Sequence, residues 1–492
     1  MNSEPMQQML LQLTELEKSM SSAVESHKDI FQNIDSEQKA AAKNLLQYLV
    51  LRNNDIRELQ DQLHMHGLSS LASSESHIHN QLQSILQRLG KIYEPKDLDI
   101  CTYGYSRDQI TQKSKMLFGE KNDSLTPYVM VTFDSSFAED YAIIKNLLQN
   151  GMNIARINCA HDNEATWSRM IQQLKRASRH TGMPCKIYMD LAGPKIRVRL
   201  LNRGNKKGKA KVEEGELVWL ADDSNGVDKD VIVISPNEPG IIPHLKKGER
   251  VFIDDGIIKG IIEKKENNKT ALRIVRISSA KKQLKSGKGI NFPDSAINVP
   301  SLTEFDRSIL PFICEYADLV GYSFVRYPTD LATLQDLLQK LTPKPPDIII
   351  KIETPEAVKN LPGLLFQGMK QKVFGAMIAR GDLAVEIGFE RMGEIQDEIL
   401  WICEAAHVPV VWATQVLDTL NKSGVATRSE ITDAAHAALA ECVMINKGDY
   451  TIQVIETLRD IMHRMGGHHI KKRHIFRPLS IASEFLKSAS KK

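Results

Sequence analysis

The sequence predicts an α/β chain built on a (β/α)8 barrel, the TIM-barrel architecture, with a small all-β domain inserted after strand three and a helical N-terminal region. Three observations carry this expectation. Eight short apolar runs follow residue 127, most of them recur at about the 25 to 35 residue period of successive βα units, and the one long gap is filled with hairpin signals.

The runs are PYVMVTF (127–133), MNIARIN (152–158), CKIYMD (185–190), ADLVGYS (317–323), DIIIKIE (347–353), VFGAMIA (373–379), VPVVWAT (408–414) and ECVMIN (441–446), most of them followed by a helix-like stretch. Between the third and fourth runs, segments such as GELVWL, DVIVIS and RVFIDDGIIKGII alternate with the turn signals DDSNG and KKENNKT, which read as a small β domain. Upstream, Met6, Met9, Leu10, Leu13 and Leu16, then Leu45, Leu46 and Leu49, fall at helical spacing, with a helix stop at Gly67 and another near Gly90. An antiparallel helical hairpin or short coiled coil fits this pattern, and a partner-binding module is the alternative. The expected division is a helical region and linker over 1–126, with 91–126 as the linker, barrel over 127–196 and 291–470, inserted β domain over 197–290, and a basic tail over 471–492.

Composition narrows the function classes. A 492-residue chain with 42% hydrophobic content can bury a sizeable core, and a net charge of +3 from 64 basic and 61 acidic residues sets up no global attraction to nucleic acid or anionic membrane. Six scattered cysteines without a CxxC pair read as buried thiols in a reducing compartment, with neither disulfide nor zinc expected. With no signal-peptide pattern and no membrane-length apolar run, a cytoplasmic location is expected.

Chemistry concentrates where barrel strands end, because active sites of this architecture sit at the C-terminal ends of the strands. In IIIKIETPE (348–356), Ile349, Lys351 and Glu353 share one face of a strand, so two opposite charges emerge together at its end. A satisfied ion pair is one reading of them. Asp382, in the loop after strand six, adds a second carboxylate beside Glu353, and two carboxylates suit Mg2+. Gly381 lets backbone N–H groups approach an anion, and Lys351 supplies charge for a phosphoryl group or an enolate. Together these favour phosphoryl or enolate chemistry over a plain ion pair.

The segments KIETPEAV, IARGDLAVEIG, VVWATQVLDTL, ATRSEITDAAHA, GMNIARINCAHD and MDLAGPKIR resemble the signature segments of pyruvate kinases, in the family's order, over about residues 127–465. The resemblance implies that Lys351 stabilises the enolate and the transferring phosphoryl group, that Arg156 meets that group, and that Thr414 lies on the face where the enolate is protonated. It implies Mg2+, with Mn2+ as an alternative, on Glu353 and Asp382. Backbone groups of Ala379, Gly381 and Asp382 would take the carboxylate end of phosphoenolpyruvate. Asn158, His161, Arg197 and Lys288 fall on the nucleotide side; for His161 a structural surface role is the alternative, and for Arg197 and Lys288 solvated surface charge. Phosphoenolpyruvate and ADP are the implied partners, a homo-oligomer the implied assembly, and neither nucleic acid nor membrane is expected.

Four departures from the family pattern matter. Where many pyruvate kinases hold K+ with an Asn, a Ser, an Asp and a Thr, this chain keeps Asn158 and Asp190 but has Ala160 and Leu191, and Lys195 stands where a Glu is usual. Lys195 is therefore expected to substitute for the monovalent cation, and K+ is not expected. The segment after strand eight runs straight into NKGDY, in place of a longer Ser-Gly-Glu-Thr loop, and strand one ends in VTFDSS. The C-terminal effector domain of the family is expected to be lacking. Two other readings remain: a catalytically degenerate binding or regulatory protein working through its N-terminal helices, and a related barrel enzyme using aldol or lyase chemistry, against which the retained Lys351 argues.

Overall fold

The computed structural model describes residues 4–465, apart from 122, 124, 125, 203–207, 226, 228, 229, 267, 296 and 298, together with the backbone of 469–470 and 473–474. The basic tail expected over 471–492 otherwise lies outside the described residues.

Each of the eight apolar runs is a strand: β1 (Tyr128–Phe133), β2 (Ile154–Asn158), β3 (Lys186–Asp190), β4 (Leu319–Tyr322), β5 (Asp347–Ile352), β6 (Gly375–Ala379), β7 (Val410–Ala413) and β8 (Cys442–Ile445). They pair in parallel and in sequence, and β8 pairs with β1 to close the barrel. The Ile run of β5 is buried throughout, because one face fills the barrel and the other packs on helices. Period-two alternation sends Tyr128, Met130, Ile154, Tyr188, Ile349, Met377 and Val411 into one inner apolar cluster, while their neighbours join the larger core under the helices. Continuing the inner rows upward brings Thr132, Arg156, Asp190 and Lys351 to the barrel mouth.

Close approach at that mouth needs one glycine. A Cβ on Gly321 of β4 would lie 2.0 Å from the Tyr188 hydroxyl and 2.5 Å from Asp190 Oδ1, so only a hydrogen fits beside those two side chains.

The inserted domain follows β3. Its largest sheet has seven strands, ordered 290–291, 250–253, 258–266, 269–277, 217–221, 232–236 and 198–200, around an Ile, Val and Leu core of its own.

The N-terminal region is more than a free hairpin. Helices Glu4–Ser26, Lys39–Arg52, Arg57–Met65 and Ile78–Arg88 share one core, and Asn44 fastens them to the barrel. Its Nδ2 donates to Ala405 O and to Glu75 O, both at 2.8 Å, and its Oδ1 accepts from Ile78 N at 3.0 Å. Arg52 stacks over Trp401 of helix Met392–Ala405, 4.7 Å from the ring centre. Residues 91–126 also differ from the expected linker: Tyr103–Phe118 is a helix whose Leu117 and Phe118 belong to the inner barrel cluster. Buried Lys113 and Ser114 on that helix hide the apolar stripe that would have announced it.

Gly321→Ala should lower stability by about 1–3 kcal/mol through overpacking, whereas Gly393→Ala, in a helix with nothing within 4 Å of the added methyl, should raise it by about 0.5–1 kcal/mol. Thermal denaturation of the two variants checks the difference; an unchanged Tm for Gly321→Ala would contradict the packing at the mouth.

Candidate active site

Lys351 is buried among three polar partners. Its Nζ lies 3.2 Å from Asp190 Oδ1 and 3.1 Å from Glu353 Oε1, and donates to Ser323 Oγ at 2.7 Å. Ser323 passes the orientation on by donating to Leu191 O at 2.6 Å. Burial opposes the ammonium charge, but Asp190 and Glu353 outweigh it and keep Lys351 above its ordinary range.

Asp190 is saturated by its neighbours. Arg156 gives it Nε at 2.9 Å and Nη2 at 2.7 Å, both on Oδ2, while Lys351 and the Tyr188 hydroxyl, the latter at 3.3 Å, approach Oδ1. Burial works to raise its carboxyl, yet Lys351 and Arg156 hold it below the usual carboxylate range. The remaining arm of Arg156, Nη1, donates to Thr132 Oγ1 at 3.0 Å.

Glu353 follows β5 and accepts from Phe324 N at 2.7 Å through Oε2. Burial raises its carboxyl, Lys351 lowers it, and the nearby charge of Asp382 raises it again, with a net upward shift. Two carboxylates therefore feel each other at the mouth. Among the described residues no group of three or more His, Cys, Asp or Glu side chains could hold a metal. An oxygen-only pair of carboxylates nevertheless fits Mg2+, which commonly takes one or two protein carboxylates and completes its shell with water and substrate oxygens.

Asp382 sits in the first turn of helix Arg380–Ile387, directly after β6. Arg380 fixes this turn to its neighbours: its guanidinium forms a two-pronged pair with Asp433, donates to Ala413 O at 3.0 Å and to Thr414 O at 2.6 Å, and lies over the Trp412 ring. The clamp holds a strained segment, since Thr414, Gln415 and Leu417 all have left-handed backbones, with φ of 67°, 56° and 49°. Thr414 Oγ1 is buried without a hydrogen-bond partner among the described residues, and a Cβ on Gly381 would come to 3.6 Å from it.

A cleft of about 470 Å³ opens on the other side of the mouth, where Arg156, Asn158, His161, Lys422 and Lys447 converge. The short segment after β8 shapes it: Asn421 donates to Asn446 O at 2.7 Å, and a Cβ on Gly448 would come within 2.5 Å of Asn421.

Residues 126–455 match the family pattern described as pyruvate kinase, barrel domain. The chain belongs to the pyruvate kinase family. It is 31% identical over 335 residues to the pyruvate kinase of Bacillus licheniformis, an alignment covering 66% of this chain and 55% of that one. It is 32% identical over 325 residues to the pyruvate kinase of Geobacillus stearothermophilus, covering 65% and 53%, and 30% identical over 358 residues to that of Clostridium perfringens, covering 71% and 69%. The chain spans about half the length of the first two relatives.

Of the residues expected from the pyruvate kinase pattern, Lys351, Glu353, Arg156 and Asp190 form one network, with Lys195, Asp382, Gly381, Ala379 and Thr414 at its edge. Lys195 lies on Asp382, 2.7 Å from Oδ1, and forms no ion pair with Asp190 among the described residues. Asn158 turns inward on its own loop, accepting from Ala160 N at 3.1 Å. Arg197 and Lys288 stay within the insert, Arg197 donating to Gly287 O at 2.8 Å and Lys288 pairing with Asp254 at 2.8 Å. His161 lines the basic cleft; its burial, then Lys447 and Arg197, hold it below the ordinary histidine range. The sequence reading gave no role to Arg380, Asn421 or Lys447. Arg380 stands in the same ARGD segment as Gly381 and Asp382, and the glycine of NKGDY was the available signal for the close approach to Asn421.

A further carboxyl, Glu386, accepts from Asn291 Nδ2 of the insert at 2.7 Å and is pushed up to about 7 by burial. Its folded value exceeds its unfolded one, so the unfolded state releases its proton first and stability falls as pH rises from about 4.5 to about 7. Glu386→Gln removes that loss. Denaturant titrations at pH 5 and pH 8 should show the variant gaining on the parent by up to about 2 kcal/mol at the higher pH, and equal pH dependence would contradict the burial argument.

Proposed function

We propose that the chain catalyses the pyruvate kinase reaction: the phosphoryl group of phosphoenolpyruvate passes to ADP, giving ATP and, after protonation of the enolate, pyruvate. The phosphorus to enol-oxygen bond breaks, a bond to a terminal phosphate oxygen of ADP forms, and the enolate takes a proton at its methylene carbon. The observation carrying this reading is the Lys351 ammonium held by Asp190, Glu353 and Ser323 beside Asp382, at the mouth of a closed barrel.

In this reading Lys351 faces the charge that develops on the enol oxygen and the moving phosphoryl group, and its three partners hold it there before substrate arrives, which is where electrostatic catalysis gains most. Arg156, fixed by Asp190 and Thr132, meets the phosphoryl oxygens. Backbone N–H groups opening helix Arg380–Ile387 bind the substrate carboxylate, with Gly381 leaving room beside Thr414. Thr414 lies where a proton is delivered to the enolate. The basic cleft with Lys422, Lys447, Asn158 and His161 takes the ADP phosphates, and Arg197 and Lys288 add charge as the inserted domain moves over the site. Glu353 and Asp382 are the ligands for Mg2+ or Mn2+, which supplies positive charge to the substrate oxygens.

K+ independence belongs to the same proposal. Both oxygens of Asp190 are engaged by Arg156, Lys351 and Tyr188, no side-chain oxygen exists at Ala160 or Leu191, and Lys195 adds a positive charge at the edge of the mouth. Initial rates in K+- and Na+-free buffer should match those with K+ added; many-fold activation by K+ would refute the expectation.

The reaction itself is tested by pyruvate formation from phosphoenolpyruvate, ADP and Mg2+ in a coupled assay. The parent chain should turn over, and Lys351→Met should lose about 10²–10³-fold or more in kcat while still binding phosphoenolpyruvate. Absence of turnover in the parent, with phosphoenolpyruvate bound, would favour the regulatory reading.

A further inference from the structure

Three cations and three carboxylates meet at the barrel mouth, and one of the cations is held differently. Arg156 and Lys351 each contact several buried partners. Lys195 has one close partner, Asp382 Oδ1 at 2.7 Å, and a second carboxylate, Asp255 Oδ1, at 3.8 Å. Its side chain keeps 26% of its exposure, enough to move without unpacking a core.

The two carboxylates belong to different bodies. Asp382 stands on the barrel, while Asp255 stands on a turn of the inserted domain, between strands Arg250–Ile253 and Ile258–Glu266. That turn has left-handed backbone at two non-glycine residues, with φ of 56° at Asp254 and 53° at Asp255. It rests close to the barrel: the ring of Phe389, just past the helix that carries Asp382, comes to 3.4 Å from a Cβ built on Gly256. Lys195 itself precedes the first strand of the insert, Val198–Leu200, and its Cε passes 3.0 Å from a Cβ built on Gly289 of the returning chain. The ammonium therefore lies between the base of the insert, its turn and the barrel.

We propose that Lys195 is a movable counter-ion, which neutralises Asp382 while no divalent cation is bound and transfers to Asp255 of the inserted domain when Asp382 becomes a metal ligand. The inference rests on the assignment of Asp382 to the metal in the proposed function. A carboxylate oxygen engaged by an ammonium group must release it to ligate a cation directly, and a positive charge left beside that cation would repel it. Asp255 offers the displaced ammonium a partner already near, and the new pair draws the turn of the insert toward the barrel. Metal binding and closure of the insert are then linked by one side chain, without a separate effector site.

The test uses the full chain without substrate and Mn2+ as a spectroscopic probe, read by electron paramagnetic resonance. Lys195→Met should bind Mn2+ about tenfold tighter than the parent, the size expected for removing one charge-assisted hydrogen bond from the ligand, with Lys195→Gln behaving alike; Asp382→Asn should abolish binding. In parallel, hydrogen exchange over residues 254–257 should slow on adding Mn2+ to the parent and stay unchanged in Asp255→Asn, although that variant still binds the metal. Equal or weaker Mn2+ binding by both Lys195 variants would overturn the competition. Equal slowing of exchange in Asp255→Asn would overturn the transfer. Unaltered Mn2+ binding in Asp382→Asn would instead remove the metal assignment, and the inference with it.

Discussion

The mouth of this barrel depends on the burial of Lys351 between Asp190 and Glu353. An ammonium group in that position is tolerable because Asp190 and Glu353 together outweigh its burial, and Lys351 and Arg156 in turn hold the Asp190 carboxyl below the usual carboxylate range. Removing any member leaves an uncompensated buried charge. Gly321 and Tyr188 follow from the same constraint: the first leaves space for Asp190, the second fills the floor beneath it while donating a hydrogen bond.

Charge balance links this network to its ligands. Arg156, Lys195 and Lys351 offset Asp190, Glu353 and Asp382, so the side chains alone sum to neutrality. A divalent cation added to such a set leaves an excess of positive charge, which an anionic phosphate ester would offset. On the proposed function metal and substrate should thus favour each other's binding, and the proposed transfer of Lys195 would tune the balance. At the lower end of the barrel Leu117 and Phe118 pack into the inner cluster, and Asn44 fixes the N-terminal helices to the flank.

Much of this was legible in the sequence, for identifiable reasons. Strands buried on both faces write themselves as continuous apolar runs, so all eight barrel strands are placed by the sequence, and period two puts Lys351 and Glu353 on one face. What period two cannot supply is which side chains of different strands meet. Asp190 read as a residue of a cation site, whereas its carboxylate is shared by Arg156 from β2, Lys351 from β5 and Tyr188 from its own strand. Arg380 was passed over because its role, holding the left-handed backbone at Thr414, exists only after β6 and β7 are adjacent. The helix Tyr103–Phe118 was hidden by its buried Lys113, whose ammonium donates to Gln38 and is lowered to about 7 by burial, an arrangement no apolar stripe announces.

Phosphorus NMR tests the central claim most directly, by following one sample of the chain with phosphoenolpyruvate, ADP and Mg2+ over time. The account predicts that the phosphoenolpyruvate resonance declines one for one with the growth of the γ-phosphoryl resonance of ATP. A phosphoenolpyruvate resonance that shifts or broadens with binding but never declines would contradict it, and would leave the charged mouth of the barrel as a receptor for its ligand.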